Sequence, residues 1–272
     1  MTSLQKVIKY LAIAFAIFLT VSIIGGILGA VGLIGEFISG DAVLDNTKAY
    51  SVSQDVKTLK IDINAADFKI TEGDEFAIES NLKNLTVKEQ GGCLNVTEDK
   101  NFGTNYRNAV LVMYIPENFV FKTAKIKTGA GKLTVDPLSA ESLSLNLGAG
   151  KVKIIELNAY EECEIDGGAG EIIINGGVIS DLDFDMGVGA VNLTTALYGN
   201  GDVECCVGKT DIKLLGEKED YKISVDKGIG DTKIDGQSVA DGSTYGDGKY
   251  KIKLDSGVGA VNIYFNEAKE VF

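Results

Sequence analysis

Carboxylates are the most abundant chemically active groups in this 272-residue sequence, and many of them recur at a regular spacing. The chain has 39 Asp and Glu against 26 Lys and Arg, which gives a formal net charge of −13. Some of the acidic residues stand two or four positions before a recurring glycine-rich triplet: Glu164, Asp166, Asp183, Asp185, Asp202, Glu204, Asp226 and Asp255. Because these positions share one face of a β-strand, the pattern predicts a ladder of carboxylates.

Such a ladder repels itself and attracts cations. Neighbouring like charges about 5 Å apart cost roughly 1 kcal/mol per pair in water, and salt lowers this cost. The pattern therefore predicts binding of a divalent cation such as Ca²⁺, or of a polycationic partner such as wall-polymer amines or a cationic peptide. A plainer interpretation fits the same residues, namely a solvated face that keeps the protein soluble beside an anionic membrane.

Other features of the composition argue against an enzyme and against a nucleic-acid partner. The sequence has no His, which removes the usual general base near neutral pH and the commonest zinc ligand, and no Trp, which removes the best surface for stacking a sugar. Arg107 is the single arginine, and the acidic balance is unsuited to neutralising a phosphate backbone. None of the glycine triplets completes the G-x-x-G-K-[ST] pattern of a phosphate-binding loop, and no helical pattern follows them. We therefore expect neither catalytic residues nor a resident cofactor.

The four cysteines favour packing over chemistry. Cys93, Cys163, Cys205 and Cys206 are too few for a disulfide framework in a chain of this length, and they have no C-x-x-C spacing. Cys163 and Cys205 stand at positions that other repeats fill with Leu or Met. We expect the cysteines to be small apolar residues of the core.

The glycine-rich triplet, called the corner triplet below, predicts the architecture. Its seven copies begin at Gly129, Gly148, Gly168, Gly187, Cys206, Gly228 and Gly257. The first five copies follow one another after 19 or 20 residues, and the last two after 22 and 29 residues. Such an interval is too short for a strand with a packed helix, but it fits one coil of a β-solenoid.

Apolar residues alternate with polar ones on both sides of each corner triplet, and the alternation shifts by one residue at the triplet. A strand has a side-chain period of two, so this shift indicates a corner or bulge at the glycines. We predict coils of two short strands and two turns, stacked in chain order. The sixth position after the start of each triplet would form one interior file, which reads Val135, Ile154, Ile174, Leu193, Ile212, Ile234 and Ile263.

An uncharged stretch, Leu11 to Gly35, precedes the repeats. As a helix its 25 residues span ~37 Å, which is enough to cross a ~30 Å hydrocarbon core. Lys6 and Lys9 lie before it and Glu36 and Asp41 after it, so the positive-inside rule places the amino terminus in the cytoplasm. A cleaved signal peptide is the alternative, but the stretch is long for one and has no A-x-A-like site.

The sequence thus predicts an all-β fold, a β-solenoid of coils of about 19–20 residues, with one amino-terminal transmembrane α-helix. The expected segments are a cytoplasmic amino terminus (1–10), the membrane helix (11–35), a linker or cap (36–56), the β-solenoid domain (57–265) and a carboxyl-terminal tail (266–272).

The corner triplets also carry a family resemblance. G-A-G-K-L-T-V, G-A-G-K-V-K-I, G-A-G-E-I-I-I and G-V-G-A-V-N-L resemble the repeats of a bacterial putative-adhesin domain family of unknown function, over roughly residues 50 to 265. The resemblance implies an exported β-strand-repeat domain with an amino-terminal membrane segment, and some members of the family accompany envelope-stress regulators. It brings no catalytic residues to carry over.

Together these patterns predict a single-pass protein of the cell membrane whose bulk is extracellular. We expect a non-catalytic, adhesin-like binding or scaffold module of the cell envelope, with the membrane and a cell-wall component or membrane protein as partners. The alternative is an accessory or sensor protein of an envelope-stress response that acts through membrane partners.

Overall fold

The fold is all-β, as predicted. The computed structural model describes residues 47–99 and 108–266, so the predicted cytoplasmic segment, membrane helix and most of the tail lie outside the described residues. Within these two ranges, no helical segment has the length and apolarity that a bilayer crossing requires.

Twelve strands and one short 3-10 helix, Lys218–Asp220, make up the described secondary structure. The strands are β1 Lys48–Ser51, β2 Thr58–Gly73, β3 Ala77–Ser80, β4 Leu85–Gln90, β5 Cys93–Glu98, β6 Val110–Pro116, β7 Val120–Ile174, β8 Val178–Leu215, β9 Tyr221–Ile234, β10 Gln237–Ser238, β11 Thr244–Tyr245 and β12 Tyr250–Asn266.

The repeats stack as parallel coils. β7 and β8 pair in parallel, with Ile165 beside Phe184 and Ile174 beside Leu193, so residues one repeat apart are neighbours. β7 runs unbroken for 55 residues and passes through several corner triplets. The predicted division of each coil into two short strands and two turns is therefore wrong, because the strand continues through the bends at the glycines.

The core is a column of aliphatic side chains that each coil supplies from three sides. One coil contributes Leu143, Leu145 and Leu147 before its corner, Val152 and Ile154 after it, and Leu157 and Ala159 on a third side, and none of these is more than 6% exposed. The sequence pattern indicated only the first two sides. The third is irregular, since Gly177 and Ile179 occupy the equivalent positions of the next coil.

The predicted interior file is buried along its whole length. Its members are each at most 3% exposed: Val135, Ile154, Ile174, Leu193, Ile212, Ile234 and Ile263. Neighbouring coils place these residues side by side, as the pairing of Ile174 with Leu193 illustrates. Since one coil cannot cover its own apolar side chains, most of the stabilisation comes from contacts between coils.

The order of coils in the stack differs from their order in the chain. β12 lies between β8 and β9, so Ile263 pairs with Ile212 on one side and with Ile234 on the other. The predicted order of the last two coils is therefore wrong. The connection between β9 and β12, which includes β10 and β11, is long enough to let the last strand return between its predecessors. β2 is likewise enclosed, between β7 on one side and β5 and β6 on the other.

Glycine is needed at the corners because successive coils approach one another closely there. Gly170 has a φ of +139°, and a Cβ on it would lie 1.9 Å from the carbonyl oxygen of Gly150 in the neighbouring coil. The corner of β2, Asn64-Ala65-Ala66, matches the same register without glycine. None of its three residues has a positive φ, so alanine suffices there.

Short antiparallel strands cover the two ends of the stack. At one end β3 pairs with β6 and β1 with β3. At the other, β10 and β11 pair with the outer edge of β9. Between β4 and β5, Gly91 and Gly92 form the turn of a hairpin that Gln90 and Cys93 close.

Candidate binding faces

One face of the stack, called the charged face below, consists of the side chains two and four positions before each corner triplet. Glu164 lies beside Asp183, and Asp166 beside Asp185, in neighbouring coils. The Asn146 amide of the preceding coil donates a hydrogen bond to the Asp166 carboxylate at 3.1 Å. The register thus brings these predicted carboxylates together in two columns.

The columns end differently from the prediction because β12 precedes β9 in the stack. Asp255 pairs with Glu204 on one side and with Asp226 on the other. Lys253 lies in the column four positions before the triplets. Its ammonium is 3.7 Å from an Asp202 carboxylate oxygen and also contacts Asp255. In the column four positions before the triplets, the acidic residues therefore end at a lysine that chain order alone would not place there, whereas the other column continues through Asp255 to Asp226.

The surroundings of Asp185 disfavour its ionised form. Desolvation by neighbouring groups and, after it, the carboxylates of Glu204 and Asp183 raise the pKa of this exposed aspartate above its ordinary value. No group of three or more His, Cys, Asp or Glu side chains in residues 47–99 and 108–266 is arranged to hold a metal ion. Binding of Ca²⁺ or of a polycation to the ladder stays a prediction.

The opposite half of the charged face is basic. Lys60 lies beside Lys125, and Asp62 beside Lys127, in the coils formed by β2 and the start of β7. The Lys127 ammonium is 4.0 Å from an Asp62 carboxylate oxygen, and both side chains are about half exposed. The charged face is thus positive toward one end of the stack and negative toward the middle and the other end.

A groove with a volume of about 540 Å³, called the groove below, runs along the third side of the early coils. Three of its lining residues are large apolar side chains with unusual exposure: Val120 at 43%, Ile155 at 43% and Tyr160 at 49%. Pro116 and Pro137, the two prolines of the chain, also line it. The sequence pattern does not predict the groove, because its walls come from segments far apart in the chain.

The polar part of the groove is held in place by hydrogen bonds. The Asn158 amide nitrogen donates to the Ser139 hydroxyl at 3.1 Å and to a Glu156 carboxylate oxygen at 2.9 Å. The Asn158 amide oxygen accepts a hydrogen bond from the Val178 backbone N–H at 3.0 Å. Glu156 and Glu72 are the charged residues that line the groove. The groove therefore combines exposed apolar groups with fixed hydrogen-bond acceptors.

The cysteines follow the prediction only in part. Cys163 and Cys205 are buried in the core, as expected, and burial raises the pKa of the Cys163 thiol to about 12. Cys206 is exposed and Cys93 is half-buried. The expectation of a core position is therefore wrong for Cys206, which takes the first place of a corner triplet, where the side chain points outward.

Comparison with solved structures gives distant similarities. A putative cell adhesion protein from Clostridium sporogenes is 16% identical, with 81% of this chain and 99% of that chain covered and a TM-score of 0.36. A putative adhesin from Bacteroides fragilis is 14% identical, with 80% and 95% covered and a TM-score of 0.46. A putative lipid binding protein from Parabacteroides distasonis is 16% identical, with 82% and 96% covered and a TM-score of 0.34.

No curated protein matches the chain in sequence. The family comparison is more informative, since residues 56–259 match the family described as Toastrack DUF4097. This range contains all of the corner triplets, from which the resemblance to an adhesin-like domain of unknown function was predicted, and that prediction is confirmed. Because the match spans most of its length, the chain belongs to the Toastrack DUF4097 family.

Proposed function

We propose that the protein is a membrane-anchored, extracytoplasmic β-solenoid that acts as a non-catalytic binding or scaffold module of the cell envelope. The observation that carries this proposal is the groove, where Val120, Ile155 and Tyr160 are each more than two-fifths exposed. Exposed apolar side chains that gather in one concave place, among a few fixed polar groups, are typical of a binding site.

The packing of the groove wall indicates that the groove keeps its shape when a ligand binds. Phe119, which lines the groove, packs edge to face against Phe76 and Phe121, with ring centroids 4.8 Å apart in each pair. A rigid wall of this kind loses little conformational entropy on binding. The recognition would therefore rest on shape and on a small number of polar contacts.

The charge of the groove indicates the chemistry of its ligand. Its charged lining residues, Glu72 and Glu156, are both carboxylates, and Asn158 and Ser139 add neutral polar groups. A ligand with an apolar surface and an amine or several hydroxyl donors would satisfy them. Wall polymers that carry amines have this chemistry.

The anchoring part of the proposal rests on the sequence. The uncharged stretch Leu11–Gly35 is long enough for one membrane crossing, and the flanking charges favour a cytoplasmic amino terminus. A module anchored in this way holds its groove and its charged face within reach of the wall.

Retention by isolated cell walls tests the proposal. The full chain in detergent micelles is incubated with wall sacculi, and the double variant Tyr160→Ala with Ile155→Ala is compared with it. We expect the double variant to bind roughly tenfold more weakly, since it removes two exposed anchors of the groove. Tyr264→Ala is the matched control, because Tyr264 is 43% exposed and lies in β12, several coils away.

The outcome also separates the two functions that the sequence left open. Equal wall retention by the double variant and the control would remove the groove from the proposal. Absence of wall retention, combined with a membrane protein that co-purifies in stable proportion from solubilised membranes, would favour the envelope-stress accessory instead.

A further inference from the structure

We propose that the charged face binds the same face of a second copy of this chain, in a two-fold symmetric dimer. The pattern that suggests it is a change of sign along the face about a neutral coil. In stack order, the successive pairs of side chains are Lys60 and Asp62, Lys125 and Lys127, Ser144 and Asn146, Glu164 and Asp166, and Asp183 and Asp185.

The neutral coil is the natural centre of such a dimer. Ser144 and Asn146 stand between the coil that carries two lysines and the coil that carries Glu164 and Asp166, and each donates a hydrogen bond to that acidic neighbour, at 3.0 Å and 3.1 Å. Coils are about 4.8 Å apart, so the lysine coil and the acidic coil lie at equal distances on either side of it. Equal and opposite spacing about one line is what a two-fold axis requires.

A two-fold axis in the interface, parallel to strand segment 143–147, reverses the stack direction and preserves the strand direction. Each coil on one side of the neutral coil then faces the coil equally far on the other side in the second copy. Glu164 meets Lys125 of the second copy, Asp166 meets Lys127, and Asp183 meets Lys60. Because the dimer is symmetric, each of these three ion pairs occurs twice.

One contact in this arrangement is unfavourable. Asp62 of one copy faces Asp185 of the other. Lys127 lies 4.0 Å from Asp62 within the same copy and reduces the net negative charge at that contact. The balance of contacts remains attractive, because three complementary pairs stand against one like-charged pair on each side of the axis.

A second copy fits this face better than a simple polycation does. A polycation would be attracted by Glu164 and Asp183 but repelled by the lysine half of the same surface. A second copy presents a basic half to the acidic half and an acidic half to the basic half. Since the chain carries a net charge of −13, two copies repel each other at long range, and association must depend on these local contacts.

Charge reversal tests the dimer with the full chain in detergent micelles. One variant carries Lys125→Glu and Lys127→Glu, and another carries Glu164→Lys and Asp166→Lys. In a homodimer of either variant, four complementary pairs become like-charged, so we expect the dissociation constant from sedimentation equilibrium to rise at least roughly tenfold. The matched control, Lys132→Glu with Lys153→Glu, makes the same charge change elsewhere on the surface and leaves the constant as it is.

Restoration makes the test specific. Mixing the two variants in equal amounts returns every pair to opposite charge, as does combining all four substitutions in one chain, so both preparations should dimerise as the parent does. Thermal unfolding of each variant checks that the fold is retained. A monomeric parent, a dimer insensitive to either reversal, or a mixture that stays dissociated would each overturn the proposal.

Discussion

Replacement of Gly170 by Ala should destabilise the domain severely. The substitution forces a side chain into a φ of +139°, which costs roughly 1–3 kcal/mol for a non-glycine residue. The new Cβ would lie 1.9 Å from the Gly150 carbonyl oxygen, and spreading the coils to relieve this clash adds roughly 1–3 kcal/mol. The sum, about 2–6 kcal/mol, is a large share of the total stability of a typical domain.

Urea unfolding of the full chain in detergent micelles, followed by the circular-dichroism signal of the strands, measures this cost. Gly236→Ala is the matched control, since Gly236 also has a positive φ, +75°, but a Cβ there meets nothing within 4 Å. The control should lose only the backbone term, roughly 1–2 kcal/mol. If Gly170→Ala lowers the midpoint no further than Gly236→Ala, close contact between coils at the corners is not what requires glycine.

Asp185→Asn should raise the unfolding temperature near neutral pH. Because the folded-state pKa of Asp185 is raised above the ordinary value of 3.8, the protein loses stability as the pH rises from 3.8 through the folded-state pKa and the carboxyl group ionises. The gain in unfolding temperature from Asp185→Asn should therefore be smaller near pH 3.8, which melting curves at the two pH values measure. Iodoacetamide should modify Cys206 in the native protein and leave Cys163 intact, because burial raises the pKa of Cys163 to about 12; peptide mass spectrometry that finds both modified equally fast would show that the core opens. If the acidic ladder binds Ca²⁺, millimolar Ca²⁺ should raise the unfolding temperature more than NaCl of equal ionic strength, and equal shifts would leave only charge screening.

The core register was predictable because it depends on local periodicity. Leu143, Leu145 and Leu147 alternate strictly with polar residues, and a slip of one residue would expose all three. The position of β12 was not predictable in this way. Gly228 and Gly257 begin equivalent corner triplets, so local pattern cannot decide which coil pairs with β8, and pairing between distant segments decides it.

The candidate sites also differ in how far local spacing predicts them. Glu164, Asp166, Asp183 and Asp185 were placed on one face by their spacing alone, and the structure brings them together. The same spacing places Lys125 and Lys127 on that face, four and two positions before Gly129, but it does not predict that Lys60, 65 residues earlier, lies beside Lys125, because they become neighbours only when β2 joins the stack beside β7. The groove was missed for the same reason, as Glu72, Val120 and Tyr160 belong to three separate segments.

The enclosed position of β12 determines how the domain responds to tension. A strand at the edge of a sheet has a single neighbouring strand and can separate from it one hydrogen bond after another. β12 is flanked by β8 and β9 and is parallel to both, so pulling on the chain beyond Asn266 loads two ladders in shear at once. The last strand should therefore be among the hardest to extract by force, and mechanical failure should begin elsewhere in the molecule.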